Sequence, residues 1–148
     1  MLTPQELQLL SALRKNARVS LAKIARDIKL PKSTVFDTFR HHEKNLIHKH
    51  SSLINFQKLG FTSRVFLAIK TTLDGRDTVR KHLMEHKNTN NLYVIDGGFD
   101  FFLESVFRDA KEMEDFLAEL KSNYAILTVC DYRVFTDLKR ESFLEKPI

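Results

Sequence analysis

The sequence contains few cysteine, glycine and proline residues, whose abundance would place it outside the ordinary globular classes. Its 148 residues include one cysteine, Cys130, four glycines and three prolines. A lone cysteine cannot form a disulfide within the chain, so a reducing cytoplasm is the expected location. The scarcity of glycine and proline, together with 43% hydrophobic residues, predicts little disorder. No apolar run reaches the length of about 18 residues that a membrane span requires, and we predict no membrane partner.

Charge is distributed unevenly along the chain, although the net value is only +5. Residues 1–60 hold 11 Lys and Arg against 4 Asp and Glu, whereas residues 61–148 hold 13 against 15. A basic first part suits a phosphate backbone, because neutralising phosphates releases counterions and drives binding to nucleic acid. A solvated charged face is the alternative interpretation. The asymmetry favours two domains with different tasks, which we place at residues 1–60 and 61–148.

Two helix starts and one break divide the first sixty residues. Thr3 and Glu6 have the spacing of a capping box, and Ser20 is the next candidate cap. Pro31 ends the second helix because it lacks a backbone donor and clashes with the preceding turn. A third helix is predicted from about residue 32 to residue 44. Two short helices that meet at a tight turn are the arrangement that a DNA major groove accepts.

The third predicted helix has two different faces. Val35, Phe39 and His42 share one face, which we expect to pack on the first two helices. The other face begins with Lys32, Ser33 and Thr34, beside free backbone N–H groups that favour phosphates. A plain three-helix core would explain the apolar spacing equally well, but it would not explain the basic bias.

The next segment, LIHKHSSLI at residues 46–54, has apolar pairs on both sides of a basic centre. We interpret it as a small hairpin, or wing, with Lys49 at its tip as a phosphate anchor. His48 and His50 alternate around this lysine, but no cysteine or acidic partner stands at a spacing typical of metal ligands. We therefore predict no metal site here.

The remaining 88 residues alternate between strand-like and helix-like patterns. RVFLAIK, NLYVIDG, FFLESVF and AILTVCDYRVF are apolar runs typical of strands. One helix is predicted between the first two, with core positions Val79, Leu83 and Met84. Another follows the third strand, with Asp109 as its cap and a buried stripe of Ala110, Met113, Phe116, Leu117 and Leu120. This order predicts an α+β chain: a winged helix-turn-helix followed by a ferredoxin-like βαββαβ sandwich.

Two helices can cover only one face of a four-stranded sheet. The other face carries apolar side chains, which need a partner. The sequence therefore predicts a homodimer that forms through the open face of the sheet.

Residues 96–100, DGGFD, separate the second and third predicted strands. Gly97 and Gly98 permit positive φ and leave backbone donors accessible for a carboxylate. Asp100 offers an acceptor for an ammonium group. The same composition suits an ordinary hairpin turn, which is the simpler interpretation. As a ligand loop, it would bind an amino acid or a similar small zwitterion.

The order of these motifs resembles the Lrp/AsnC (feast/famine) family of prokaryotic transcription regulators over nearly the whole chain. The landmarks are ALRKNARVSLAKIARDIKLPKSTV, LIHKHSSLINFQKLGF leading into RVFLAIK, and DGGFDFFLESVF. Within them, residues 16–18 resemble the family's N-x-R turn, residues 33–35 its S-T-V, and residues 98–100 its G-x-D near effector pockets. The resemblance implies a dimeric transcription regulator that binds double-stranded DNA. The dimers of related proteins often assemble further into tetramers or octamers.

The site residues follow from this interpretation. The predicted DNA contacts are Arg18, Lys32, Ser33, Thr34, Phe36, Arg40 and Lys49, and the predicted effector contacts are Gly97, Gly98 and Asp100. No catalytic residue and no cofactor is predicted. An enzyme similar to siroheme decarboxylases is the second interpretation, because those enzymes share the two-part architecture. The HKHSS segment of this chain, however, lacks the Arg-rich, Gly-containing stretch that they carry. A DNA-packaging protein with little sequence preference is the third alternative.

Overall fold

The computed structural model describes residues 2–146, and the chain divides into two compact units. The first unit comprises Met1–Leu53 together with Leu138–Ile148, and the second comprises Ile54–Asp137. The division into domains at residues 1–60 and 61–148 stays a prediction. The return of the C-terminal residues to the first unit was not indicated by any sequence pattern.

The described chain contains five α-helices and four strands, in the order ααα–βαββαβ. The helices are α1 (Pro4–Lys15), α2 (Leu21–Asp27), α3 (Lys32–Asn45), α4 (Arg76–Glu85) and α5 (Ala110–Asn123). The strands are β1 (Ser63–Thr71), β2 (Thr89–Val94), β3 (Phe101–Phe107) and β4 (Ile126–Arg133). A 3₁₀ turn lies at Gln57–Leu59. This order confirms the predicted α+β class.

The capping signals fix the helix starts of the first unit. Thr3 Oγ1 accepts the N–H of Glu6 at 3.3 Å, and the Glu6 carboxylate accepts the N–H of Thr3 at 2.7 Å. This is the predicted capping box. Ser20 caps α2 through the N–H of Lys23. The three helices enclose a small core of Leu9, Ile24, Ala25 and Val35, with Leu13, Ile28 and Phe39 among the partly buried residues packed against it.

The turn between α2 and α3 has a defined hydrogen-bond pattern. The N–H of Leu30 bonds to the carbonyl of Ala25 at 2.9 Å, and the N–H of Lys29 bonds to the carbonyl of Arg26 at 3.3 Å. This is a Schellman motif, which requires a left-handed residue after the helix. Lys29 takes that conformation with φ of 57°. Pro31 then precedes α3, so the Leu-Pro break forms the tight turn of a helix-turn-helix.

The predicted wing hairpin is wrong in its pairing. Among the described residues, none between Leu46 and Phe56 is assigned to a strand. Leu53 and Ile54, which should have formed one side of the hairpin, are exposed. An isolated two-stranded hairpin without a packed face is marginal in water, which accounts for this difference.

The second unit is a four-stranded antiparallel sheet with strand order β2-β3-β1-β4. This is the predicted ferredoxin-like topology. One face packs against α4 and α5, where the largest fully buried side chains include Phe101, Phe107, Leu67 and Leu103. Asp109 caps α5 by accepting the N–H of Glu112 at 2.8 Å, as predicted.

Two predicted core positions on these helices are wrong. Met84 is 68% exposed, and Ala110 is exposed as well. Val79 and Leu83 already define the buried stripe of α4 four residues apart, and Met84 lies about 100° around the helix from Leu83. Ala110 occupies the first turn of α5, ahead of the stripe that begins at Met113.

The opposite face of the sheet is not covered by the helices of its unit. Strand register places Phe66, Phe102, Tyr93 and Tyr132 on this face. The rings of Phe66 and Phe102 stack with centroids 5.3 Å apart, while both tyrosines are more than half exposed. The homodimer stays a prediction, and this face is its structural basis.

Candidate functional site

The outward face of α3 is polar and accessible. Lys32, Ser33 and Thr34 are all exposed in its first turn, and Pro31 supplies no side-chain cap. The first N–H groups of an uncapped helix face solvent and attract phosphate oxygens. Three of the predicted DNA-contact residues therefore share one end of one helix, beside an anion-attracting terminus.

Phe36 and Arg40 form a single structure one turn further along. The guanidinium carbon of Arg40 lies 4.7 Å from the centroid of the Phe36 ring, within the range of a cation–π contact. Both side chains are exposed. The ring fixes one side of the guanidinium and leaves its donors free to reach a base edge or a phosphate.

The segment that carries Lys49 is attached to α3 through its neighbour. His50 Nε2 lies 3.6 Å from the carboxylate of Glu43, and its ring lies 6.3 Å from that of Phe39. Lys49 is exposed next to this attachment. The structure thus brings Lys49 to the C-terminal part of α3 even though the wing hairpin is absent.

Arg18 lies in the turn between α1 and α2, outside this group. The N–H of Arg18 bonds to the side-chain oxygen of Asn16 at 2.9 Å, and the arginine side chain is exposed. The described hydrogen bonds and ion pairs do not join Arg18 to α3.

Sequence reasoning missed one partner that positions α3. His42 is buried on the inward face, as predicted, and its Nε2 lies 3.3 Å from the carboxylate of Glu6. This contact joins the last turn of α3 to the first turn of α1. The capping bonds from Thr3 are the main cause of the lowered pKa of Glu6, which keeps the carboxylate charged. In the sequence, the capping box already accounts for Glu6, so no sequence pattern indicated its contact with His42.

In the second unit, residues 96–100 form the tip of the β2–β3 hairpin. The N–H of Ile95 bonds to the carbonyl of Asp100 at 3.1 Å, which closes the turn. Gly97 and Gly98 have φ of 100° and 111°, values that side-chain-bearing residues rarely adopt. Both glycines are exposed, and a Cβ at either position would meet no other atom within 4 Å. The glycines are therefore required by backbone conformation, which is the simpler of the two interpretations.

The carboxylate of Asp100 is fully engaged inside the unit. It accepts the N–H of Thr71 at 2.8 Å and the hydroxyl of Thr71 at 3.1 Å. Lys70 Nζ lies 3.2 Å away and Arg76 Nη2 3.0 Å away. The Thr71 backbone bond is the largest cause of the lowered pKa of Asp100. An ammonium group could reach this carboxylate only by displacing a cation already bound to it.

Lys70, Thr71 and Arg76 are the functional candidates that sequence reasoning missed near this loop. Arg76 opens α4 and keeps 41% of its side chain exposed while it pairs with Asp100. Its partner stands 24 positions away in the sequence, a separation that no local motif encodes. The loop is thus flanked by two half-exposed cations.

Residues 2–146 offer neither a metal-binding cluster nor a membrane-spanning helix. No group of three or more His, Cys, Asp or Glu side chains has the geometry to hold a metal ion. None of the described helices is long and apolar enough to cross a membrane.

A helix-turn-helix whose exposed third helix carries Lys32 and Arg40, followed in the chain by a ferredoxin-like unit, is an arrangement typical of helix-turn-helix transcription regulators. A family model described as the Lrp/AsnC ligand binding domain matches residues 64–142, which is more than half of the chain. The chain therefore belongs to the Lrp/AsnC family of regulators, and the resemblance seen in the sequence is confirmed. The following relatives and structures agree with this assignment.

Two curated relatives carry the name of HTH-type transcriptional regulators. PH0140 of Pyrococcus horikoshii is 26% identical over 133 residues, which cover 89% of this chain and 84% of the relative. PF1231 of Pyrococcus furiosus is 26% identical over 141 residues, which cover 95% of each chain.

Solved structures show the same fold at low identity. The transcriptional regulator NMB0573 of Neisseria meningitidis, solved as a complex with L-Met, matches with a TM-score of 0.87 and 14% identity. The match covers 95% of this chain and 94% of the other. LrpC of Bacillus subtilis matches with a TM-score of 0.85 and 21% identity, over 94% and 98% of the two chains.

Proposed function

We propose that this chain acts as a homodimeric, cytoplasmic and non-enzymatic regulator that reads double-stranded DNA through α3. The observation that carries the proposal is the outward face of α3. Lys32, Ser33 and Thr34 surround an uncapped helix start, and Arg40 is braced on Phe36 one turn later. Phosphate contacts at the helix start would fix the register, and Arg40 would reach a base edge. Lys49 and Arg18 would contact the flanking phosphates.

A dimer would give the DNA two copies of α3. The uncovered sheet face supports this assembly, because it exposes aromatic side chains that a second copy can bury. Two-fold symmetry would match a palindromic operator, whose half-sites would lie about one helical turn or a multiple of it apart. Assembly of dimers into tetramers or octamers is the further step that relatives of the family suggest.

We also propose a small amino-acid-type ligand at the loop of residues 96–100. The complex of the Neisseria regulator with L-Met supports this class of ligand. The backbone of the exposed Gly98 would face the carboxylate of the ligand, whereas the N–H of Gly97 already bonds to Asp96 Oδ1 at 2.7 Å and would have to be released first. Asp100 would mainly hold the loop through Thr71, and Arg76 would be the cation that a ligand carboxylate competes for.

The test of DNA reading is a footprint on genomic fragments, followed by binding titrations on the protected sequence and on a shuffled copy. The proposal expects one protected sequence with at least about a thousandfold preference over the shuffled copy. Equal, salt-sensitive binding to both would favour the packaging alternative instead. Calorimetry with the twenty amino acids at millimolar concentration tests the ligand separately, and no binding would leave residues 96–100 as a turn only.

A further inference from the structure

Helix α1 has a second buried face that the three-helix core does not use. Leu9 belongs to the core, but Ser11 lies elsewhere around the helix and is only 6% exposed. A buried serine hydroxyl needs a hydrogen-bond partner. Its Oγ donates to the carbonyl of Glu145 at 3.0 Å, so the partner comes from the C-terminal segment.

Arg14 lies one turn beyond Ser11 and binds the same segment. Its Nε donates to the carbonyl of Phe143 at 3.1 Å, and its Nη2 donates to the carbonyl of Glu141 at 2.6 Å. Nη2 also lies 3.2 Å from the Glu141 carboxylate. Ser11 and Arg14 thus bind three alternate carbonyls, those of residues 141, 143 and 145.

The backbone of the segment is held in an uncommon conformation. Glu141 and Leu144 have φ of 48° and 66°, in the left-handed region that side-chain-bearing residues rarely occupy. Such residues persist where surrounding contacts over-determine them. The bonds to α1 supply those contacts.

The other end of the segment is anchored in the second unit. The N–H of Val134 bonds to the carbonyl of Arg64 at 2.9 Å, and the Arg64 guanidinium makes two hydrogen bonds to the carboxylate of Asp137. Only three residues separate Asp137 from Glu141, where the bonds to α1 begin. The chain therefore passes between the two units twice, after Leu53 and after Asp137.

We propose that residues 138–146 form a strap that docks on the Ser11–Arg14 face of α1 within the first unit, with Arg14 as its positioning residue. The strap is bound mainly through its backbone carbonyls, and two of its apolar side chains stay exposed to solvent. Leu138 is 95% exposed and Phe143 is 75% exposed. Release of the strap would remove the three backbone carbonyls that Ser11 and Arg14 bind on α1.

The first test is limited trypsin digestion of the full-length protein, with cleavage after Lys139 and Arg140 followed by mass spectrometry. Cleavage requires the segment to open locally, so its rate reports the docked population. Arg14→Ala should raise the rate about tenfold, the factor expected for a lost charge-assisted hydrogen bond. Arg14→Lys should also raise it, because an ammonium cannot span two carbonyls as the guanidinium fork does.

Lys15→Ala is the matched control, since Lys15 is exposed and adjacent on the same helix. Circular dichroism of each variant checks that the helices remain. Equal cleavage rates for Arg14→Ala and Lys15→Ala, with helicity intact, would show that the strap does not dock in solution and would overturn the proposal.

The second test measures the effect of the strap on DNA binding and rests on the proposed function. Arg14→Ala should weaken binding at least threefold and leave the salt dependence unchanged, because no phosphate contact is lost. A reduced salt slope would make Arg14 a DNA contact and overturn its positioning role. The digestion result stands by itself if the parent protein binds no DNA.

Discussion

The carboxylate of Asp100 accepts the backbone N–H of Thr71 at 2.8 Å and pairs with Arg76 at 3.0 Å, so one side chain ties β1, the β2–β3 hairpin and the start of α4 together. The pairs that Asp100 makes with Arg76 and with Lys70 involve full charges on both partners, which makes them the stronger kind. The position that a sequence motif marks as a ligand contact is therefore also a structural junction.

Asp100→Asn should lower the free energy of unfolding by about 1.5–3 kcal/mol, because the amide keeps the shape but loses the charge that Lys70 and Arg76 require. Urea denaturation at pH 7 measures this change. Asp96→Asn, in the same loop but exposed, is the control and should change stability by less than about 0.5 kcal/mol. Similar losses of unfolding free energy for both variants would show that the Asp100 carboxylate does not join these three elements.

Acid should remove the same stabilisation. The Thr71 N–H is the largest cause of the lowered pKa of Asp100, so the folded state keeps this carboxylate charged below its ordinary pKa of 3.8. Its contribution is complete above about pH 3.8 and is lost as the pH falls through the folded pKa. The Asp100→Asn variant should therefore differ less from the parent at pH 3 than at pH 7.

Elements with local signals were predictable from the sequence, and elements with distant partners were not. Thr3 with Glu6 and Asp109 with Glu112 are caps three residues apart, and both formed as expected. The carbonyls that Arg14 binds belong to any residue type, so nothing in the C-terminal sequence indicates the strap. The prediction of a wing hairpin was wrong for a related reason, because a hairpin pattern in the sequence does not specify which surface the hairpin packs on.

Lys29→Gly should stabilise the helix-turn-helix. Lys29 has φ of 57° after α2, where glycine meets no steric cost. The gain should be about 0.5–1 kcal/mol in the free energy of unfolding. Lys23→Gly is the control inside α2 and should destabilise by about 1 kcal/mol. A destabilised Lys29→Gly protein would mean that the Schellman turn does not form in solution.

His86, which directly follows α4, should make the second unit sensitive to mild acid. Burial lowers the pKa of His86 below 6.5, with His82 and Lys87 adding to the effect and Glu119 and Glu112 opposing it. The folded state therefore disfavours the charged ring. Stability should be full above about pH 6.5 and should fall as the pH drops through the folded pKa of His86.

His86→Gln should flatten this dependence between pH 7.5 and pH 5, as measured by urea denaturation across that range. The exposed His48 offers the matched control, and His48→Gln should retain the slope of the parent. If the His86→Gln and parent curves stay parallel, another group is responsible for the acid sensitivity.

Lys49→Ala should weaken DNA binding to all sequences alike, because we assign Lys49 to a phosphate. The slope of log affinity against log salt should fall by about one unit. Fluorescence anisotropy at four salt concentrations measures it. Lys121→Ala, exposed on α5, is a charge-matched control that should keep the slope of the parent. An unchanged slope for Lys49→Ala would remove this residue from the interface.

Phe66→Asp should convert the proposed dimer into a monomer. Phe66 stacks on Phe102 at the centre of the uncovered sheet face, where a second copy would remove both rings from water. A carboxylate placed there would face its own symmetry mate across a two-fold interface and would have to be desolvated. Light scattering at micromolar concentration should give the mass of two chains for the parent and of one chain for the variant. Leu73→Asp places the same charge on an exposed apolar residue between β1 and α4, outside the sheet face, and should leave the mass unchanged. A folded Phe66→Asp protein with the parent's mass would show that the subunits associate through another surface.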